Sequence, residues 1–348
     1  MYSVGTLDPG YCDRYAVAWL IDIPDRNTVR KREKYPMQNL TPIVTDSEAL
    51  SGAKLNVALR SRIKTLAELF KLRIVLLLLI SALGGAILGA GGWPGGQALV
   101  LLLITGGLSA AGASAVNQYL ERERDAKMVR TRRRPLPSGA VEKSTWVLVV
   151  GGGMVIFAVG LSAIYNPALA ISNALGAIIY IGVYTIWLKP RTVLNIVIGG
   201  AAGSMAVISG GAAANAWNEP GVLALSLLVF AWTPTHFWSL AMAYRKDYAQ
   251  AGFPMLPVNV TSKQAAWWVA VHTLATAFIA LILGFHPALG IIYLIPVSLI
   301  SIQFMRLTIN LLRNPDGSLA LSLFKFSNIY LSIVQLIVIF LPLFRLPI

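Results

Sequence analysis

The sequence predicts an all-α, polytopic membrane protein with nine transmembrane helices, and three observations carry that prediction. Of its 348 residues 56 % are hydrophobic and only 13 % charged, an apolar excess well above a soluble globular average. The excess falls into nine runs of about twenty residues, the length that crosses a ~30 Å hydrocarbon core. A soluble protein with a large core would show amphipathic stripes rather than helices apolar on every face. Finally, lysines and arginines collect on one side of the chain's path through the membrane, as positively charged cytoplasmic loops do.

Taken in order, residues 1–60 form a cytoplasmic amino-terminal tail expected to be irregular, ahead of a membrane domain at 61–348. The tail mixes acids (Asp8, Asp13, Asp22, Asp25) with the basic cluster Arg30-Lys31-Arg32-Lys34. Its apolar stretch YAVAWLIDIP is too short and too acid-flanked for a signal peptide, and the acids also argue against a mitochondrial presequence. Met37 is a candidate alternative start. The nine runs follow at about 74–92, 97–119, 145–164, 168–188, 194–214, 221–243, 265–284, 287–305 and 326–344. With the amino terminus inside, the inner segments are 1–73, 120–144, 189–193, 244–264 and 306–325. They hold 28 of the 29 Lys and Arg residues, leaving Arg345 outside, while the outer turns 93–96, 165–167, 215–220 and 285–286 hold none. The reverse topology would put nearly every positive charge on the wrong face.

That bias accounts for the net charge of +14 without a nucleic-acid partner, for which the chain offers no recognition helix or soluble domain. A single cysteine, Cys12, excludes an intramolecular disulfide framework. A transporter would be expected to carry ionisable residues near helix centres. Here the helix centres are nearly free of charge, and charge gathers at the inner ends of the second and sixth runs. This favours a site at the inner surface above a greasy interior.

The densest charge lies in NQYLERERDAKMVRTRRRPLPSG, residues 117–139, where ten of the fourteen positions from Glu121 to Arg134 are charged. Asn117, Glu121 and Asp125 are spaced four apart, so each turns only ~40° around a helix from the last. They form one oxygen-bearing stripe, a ligand type suited to magnesium, which commonly takes one or two carboxylates plus substrate phosphates. Glu123 points away. Lys127, Arg130, Arg132, Arg133 and Arg134 follow, and arginine's planar fork can grip two phosphate oxygens at once. Alone, the stretch fits two readings: a site for a diphosphate–magnesium complex, or acids and arginines pairing across a solvated loop. A second inner segment, AWTPTHFWSLAMAYRKDYAQAGFPMLP at 231–257, brings Tyr244, Arg245, Lys246, Asp247 and Tyr248 to the same membrane face. The loop LKPRT adds Lys189 and Arg191, and Lys71 and Arg73 precede the first run. Three inner loops thus offer phosphate-binding groups around one mouth.

The pattern N-x3-acid-x3-D followed by RTRRRPLPSG resembles the first signature of the UbiA superfamily of intramembrane prenyltransferases. Within it, YTIWLKPRTVLNIVIGGAAGSM (184–205), WTPTHFWSLAM (232–242) and DYAQAGFPMLP (247–257) are similar to the haem O synthases, or protohaem IX farnesyltransferases. The resemblance covers roughly 60–345. It implies nine helices around a central cavity that opens to the cytoplasm under a small helical cap, in a bacterial inner membrane. It implies farnesyl diphosphate and haem B as substrates and Mg2+ as cofactor. The downstream haem A synthase is an implied partner. Position by position, Asn117, Glu121 and Asp125 match the first acidic motif and Asp247 the second, as catalytic metal ligands. Arg122, Arg130, Arg134, Lys189 and Arg191 match diphosphate-binding bases, joined by Lys71, Arg73 and Tyr244. The chain departs from the pattern with Glu121 and Glu123 for the usual Asp, Lys246 for a second Asp, and KLR at 71–73 for Lys-Pro-Arg.

The implied chemistry is ionisation of an allylic diphosphate, attack by a haem vinyl group and addition of water. Trp232, Phe237 and Trp238 stand near the mouth, where aromatic faces stabilise cations or simply anchor the interface. His236 and the two tryptophans are the haem-contact candidates, imidazole being a common iron ligand. His272 and His286 read as structural. The glycine-rich stretches GGAILGAGGWPGG and IGGAAGSMAVISGGAAA read as helix packing rather than nucleotide loops. The alternatives are a related prenyltransferase acting on another acceptor such as a quinone precursor, and a transporter or lipid-binding anchor.

Overall fold

The structure, a computed structural model, describes residues 59–142 and 144–344. The expectations for the tail at 1–58 and for Arg345 lie outside the described residues. Helix α1 covers 59–69, and the spans are α2 (Leu72–Ala90), α3 (Gly96–Asp125), α4 (Thr145–Tyr165) and α5 (Pro167–Leu188). They continue as α6 (Asn195–Ala213) and α7 (Pro220–Ala243). Two short helices, α8 (Arg245–Gln250) and α9 (Leu256–Asn259), then precede the spans α10 (Ser262–Leu283), α11 (Gly290–Arg313) and α12 (Gly317–Phe344). Among the described residues nine helices are long and apolar enough to cross a membrane. Each span packs on the next in sequence order, and α12 returns to α2, closing a ring. Large side chains such as Ile156, Phe157 and Leu299 stay uncovered on the outside, as lipid-facing surfaces require.

The helix starts are written locally. Asn166 caps α5, its side chain accepting from Leu169 N–H, with Pro167 in the first turn. Glu219 does the same for α7 ahead of Pro220, and Thr261 with Gln264 forms a capping box on α10. Each arrangement satisfies a backbone donor that the first turn leaves unpaired. Polar residues extend several spans beyond the apolar runs. The third helix runs on to Asp125, α11 to Arg313, and α12 begins at Gly317. The inner segment expected at 306–325 is therefore mostly helix, because charged side chains such as Arg306, Arg313 and Lys325 sit on helix ends as readily as in loops.

Small residues bring α2 and α6 into backbone contact. A Cβ on Gly210 would fall inside the Ala82 carbonyl, and one on Gly85 inside that of Val207. The expectation that these glycines serve packing holds. The same logic shapes the inner end: a Cβ on Gly199 of α6 would lie 2.5 Å from the Tyr184 ring of α5, so the bare backbone there leaves that ring its place.

Candidate active site

Because α3 stays helical to Asp125, Asn117, Glu121 and Asp125 share one buried face, with 2, 6 and 3 % of their surface exposed. Glu123, expected to point away, has a side chain 84 % exposed. Each member of the stripe meets a cation from another segment. Lys71 Nζ donates to Asn117 Oδ1 at 2.7 Å, Lys189 Nζ lies 2.5 Å from Glu121 Oε1, and Arg134 donates to Asp125 Oδ2 at 2.6 Å. The loop after α3 is folded back by Thr131, whose hydroxyl donates to the Asp125 carbonyl at 2.8 Å. That fold returns Arg134 to the carboxylate nine positions earlier.

Helix α5 supplies the facing wall through a change of helix type. Its second half, Ile178–Leu188, is a π-helix, whose i→i+5 bonds widen each turn. At the α-helical ~100° per residue, positions nine apart sit on opposite faces. The wider turn brings them together, so Tyr180, Tyr184, Thr185 and Lys189 look the same way. Tyr180 and Tyr184 stack with ring centroids 6.0 Å apart. The Tyr180 hydroxyl accepts from Lys71 at 3.2 Å, and Thr185 Oγ1 accepts from Asn117 Nδ2 at 3.0 Å. π segments are frequent at functional sites. A sequence read at the α period does not reveal this face.

The second acidic segment closes from α8. Asp247 Oδ2 accepts from the Arg130 backbone N–H at 3.3 Å, and the Arg130 guanidinium lies 3.4 Å from the Tyr248 hydroxyl. Lys246 is exposed, so the charge that departs from the family pattern lies on the solvent side of this helix. Beyond α8, Phe253 meets Lys189, whose Nζ is 4.6 Å from the ring centroid.

Electrostatics set the two lysines apart. Burial, reinforced by the Arg134 guanidinium, pulls Lys71 down to about 7. Burial works against charge on Lys189 too, but the adjacent Glu121 carboxylate overcomes it and raises its pKa. Lys71 also holds a left-handed backbone (φ 48°) that ordinary side chains seldom adopt. Helix α1 is tied on beside it: Gln118 Nε2 donates to the carbonyls of Glu68 and Leu69 at 2.8 and 2.7 Å.

Several expected bases lie elsewhere. Arg122 turns back on its own helix, donating to Tyr119 O at 2.7 Å and lying over the Tyr119 ring. Arg191 donates to Ile186 O and Trp187 O, both at 2.9 Å, and so caps the end of the π-helix. Lys127, Arg73, Arg132, Arg133 and Tyr244 are exposed. In their place the site gains Tyr180, Tyr184, Thr185, Tyr248 and Phe253.

The haem-contact candidates divide. Trp232 and His236, one turn apart on α7, stack at 4.3 Å. Both reach Ser327 of α12: Trp232 Nε1 donates to its carbonyl at 2.8 Å, and His236 Nδ1 lies 2.9 Å from its hydroxyl. That hydroxyl already donates to Phe324 O at 2.7 Å. The His236 contact therefore needs a proton on Nδ1, which leaves the Nε2 lone pair free. Trp238 faces the other way, 2 % exposed, with its ring edge-on to His272 at 5.0 Å. His286 pairs with Glu219 at 2.9 Å near the first turn of α7, and His272 Nδ1 lies 2.9 Å from Trp268 O on its own helix.

Among the described residues no three acidic, histidine or cysteine side chains cluster as a ready-made metal cage. The buried oxygens of Asn117, Glu121 and Asp125 instead suit a hard cation that completes its shell with phosphate oxygens.

Comparison with known proteins follows the same lines. The profile of the UbiA prenyltransferase family matches residues 78–329. The protoheme IX farnesyltransferase of Saccharolobus islandicus (strain L.S.2.15 / Lassen #1) is 40 % identical over 288 residues, covering 82 % of this chain and 100 % of its own. That of Metallosphaera sedula is 37 % identical over 283 residues, covering 81 % and 97 %. A solved digeranylgeranylglyceryl phosphate synthase shares the fold with a TM-score of 0.69 at 20 % identity, over 81 % of this chain and 99 % of that one. A UbiA homolog from Archaeoglobus fulgidus, bound to DMAPP and Mg2+, superposes with a TM-score of 0.56 at 17 % identity, over 79 % and 99 %.

Proposed function

The chain belongs to the UbiA prenyltransferase family, and we propose that it transfers the farnesyl group of farnesyl diphosphate to a vinyl group of protohaem IX (haem B), giving haem O. The observation that carries this reading is the pairing of the α3 oxygen stripe with three cations from three other segments. Such a set holds charge of both signs, ready for a ligand that brings both: a diphosphate with its divalent ion.

The residues have separable roles. Asn117, Glu121 and Asp125, with Asp247 opposite, would hold magnesium, as their hard oxygens suit. When bound, the ion would supply Lewis-acid stabilisation of the departing diphosphate. Lys189 and Arg134 turn from their carboxylates to the diphosphate oxygens, and Lys71 joins them. The fixed charges of Lys189 and Arg134 stabilise the leaving group in a site that excludes bulk water. The farnesyl C1–O bond breaks with its electron pair going to diphosphate. The vinyl carbon of haem then bonds to C1, and the cation left on the porphyrin arm takes a hydroxyl from water, releasing a proton. Arg122 and Arg191, turned to backbone carbonyls, act outside this set.

For haem, the free Nε2 lone pair of His236 in the Trp232–His236 stack supports a contact with the iron. Trp238, packed edge-on against His272, acts outside this contact. The charge asymmetry supports a mouth on the cytoplasmic side of a multi-pass protein. The relatives named above are archaeal, so they support a cell membrane without specifying a bacterial inner one. None of them supports a partnership with haem A synthase.

The test is incubation of membranes carrying the folded protein with haem B, Mg2+ and farnesyl diphosphate, followed by mass analysis. Farnesylated haem is expected. Its absence, or prenylation of a quinone precursor instead, would overturn the assignment.

A further inference from the structure

Helix α8 ends in a Schellman turn. The Gly252 N–H donates to Ala249 O at 3.1 Å, and the Phe253 N–H to Tyr248 O at 3.2 Å. Gly252 takes φ +68°, a conformation that favours glycine. The turn sends Phe253 inward, leaving it 3 % exposed, with its ring 6.5 Å from that of Tyr248.

Two cations from other elements meet that ring: Lys189 Nζ at 4.6 Å from its centroid and Arg124 Cζ at 5.4 Å. Lys189 Nζ also lies 5.3 Å from the Tyr184 centroid. Against its ammonium thus lie the Glu121 carboxylate and two aromatic rings. Glu121 is the neighbour whose hold the proposed function weakens, because a carboxylate that shares its charge with a metal ion neutralises the lysine less. What then keeps a buried ammonium charged and in place is the pair of rings, whose faces attract cations within about 6 Å.

We propose that Phe253 is a positioning residue for Lys189: its ring, with that of Tyr184, forms a collar that keeps the ammonium aimed at the diphosphate once Glu121 turns to the metal. The proposal rests on the diphosphate-site reading above. It assigns a task to the loop after the second acidic segment, which thereby meets the diphosphate site at Lys189 as well as through Asp247. An aliphatic side chain fills the same space but offers no ring face.

The test uses the full chain in detergent, titrated calorimetrically with inorganic pyrophosphate and Mg2+. Phe253→Leu and Phe253→Met are expected to weaken binding about 10-fold, within the range of a desolvated cation–ring contact. Phe253→Trp and Phe253→Tyr should stay within about 3-fold of wild type, because they keep the ring. In a Lys189→Met background, Phe253→Leu should cost little more, since it acts through the missing ammonium. Equal losses for Leu and Trp, an unchanged Phe253→Leu, or an undiminished effect without Lys189 would overturn the proposal and leave the diphosphate site standing. A folded wild type that ignores magnesium pyrophosphate, or a Lys189→Met protein that binds it equally well, defeats the site reading and the collar together.

Discussion

Replacing Glu121 by Gln strands Lys189 in a site where its side chain is only 13 % exposed. At 2.5 Å, Coulomb's law with an effective dielectric of 20 gives a gross attraction of about 7 kcal/mol. Much of that offsets the cost of taking both charges out of water. Breaking a buried pair by removing one partner typically costs about 3–5 kcal/mol, and the rings beside Lys189 place this case near the lower end. At roughly 2 °C per kcal/mol for a chain of this size, Glu121→Gln should lower Tm by about 6 °C, and Lys189→Met by a similar amount. The double variant should fall no further than either single one, because the interaction is lost only once. The sign with pH follows from Lys189, whose folded pKa is raised by Glu121. Stability from that shift is fully present below the unfolded lysine value and is lost only as pH rises through the folded one. The Lys189 part of the Glu121→Gln deficit should therefore be flat between about pH 6 and pH 9. Thermal scans of the four proteins in one detergent, at three pH values, measure all of this. Additive losses of about 12 °C in the double variant, or no loss in either single one, would refute the pairing.

Lys71, held down to about 7, should be acylated at pH 7.5 faster than exposed Lys64, read by peptide mass mapping. Labelling should fade below about pH 6, where the amine is protonated, and magnesium pyrophosphate should protect it. Gly199→Ala pushes a methyl group against the Tyr184 ring; overpacking of this kind costs about 1–3 kcal/mol. Its loss of magnesium pyrophosphate affinity should exceed that of Gly153→Ala, where the structure has open space. His236→Ala should raise KM for haem about 5-fold, one such contact being worth ~1 kcal/mol, with KM for farnesyl diphosphate unchanged. Equal changes in both would detach His236 from the haem side.

The spans were legible because crossing hydrocarbon demands length and apolarity at once, and little else in a sequence meets both. The α3 stripe was legible for a similar reason: a spacing of four on a helix means one face, and α3 continues far enough to keep it. Direction around a helix was harder to read in a run of charges. Arg122 stands beside Glu121 in sequence, yet one step is ~100°, and it turns to a backbone carbonyl instead. Arg191 follows Lys189 by two and caps the helix that Lys189 leaves. The π segment was hidden because its face appears only at a period no hydropathy pattern announces; the aromatic and hydroxyl residues of YTIWLK were visible, but not their alignment with Tyr180. Phe253 depended on the Gly252 turn, whose local signal, Ala-Gly-Phe-Pro after a short helix, is a helix stop in plain sequence. Lys246, the departure from the linear motif, lies on an exposed face.

Diphosphate departure is read most directly from the stoichiometry of pyrophosphate released to farnesylated haem formed, compared between wild type and Glu121→Gln in membranes where both are inserted and folded. Equal amounts of the two products are expected from wild type, and loss of both together in the variant. Wild-type yields of farnesylated haem from Glu121→Gln would contradict this, because the oxygen stripe on α3 could not then be what draws the diphosphate away.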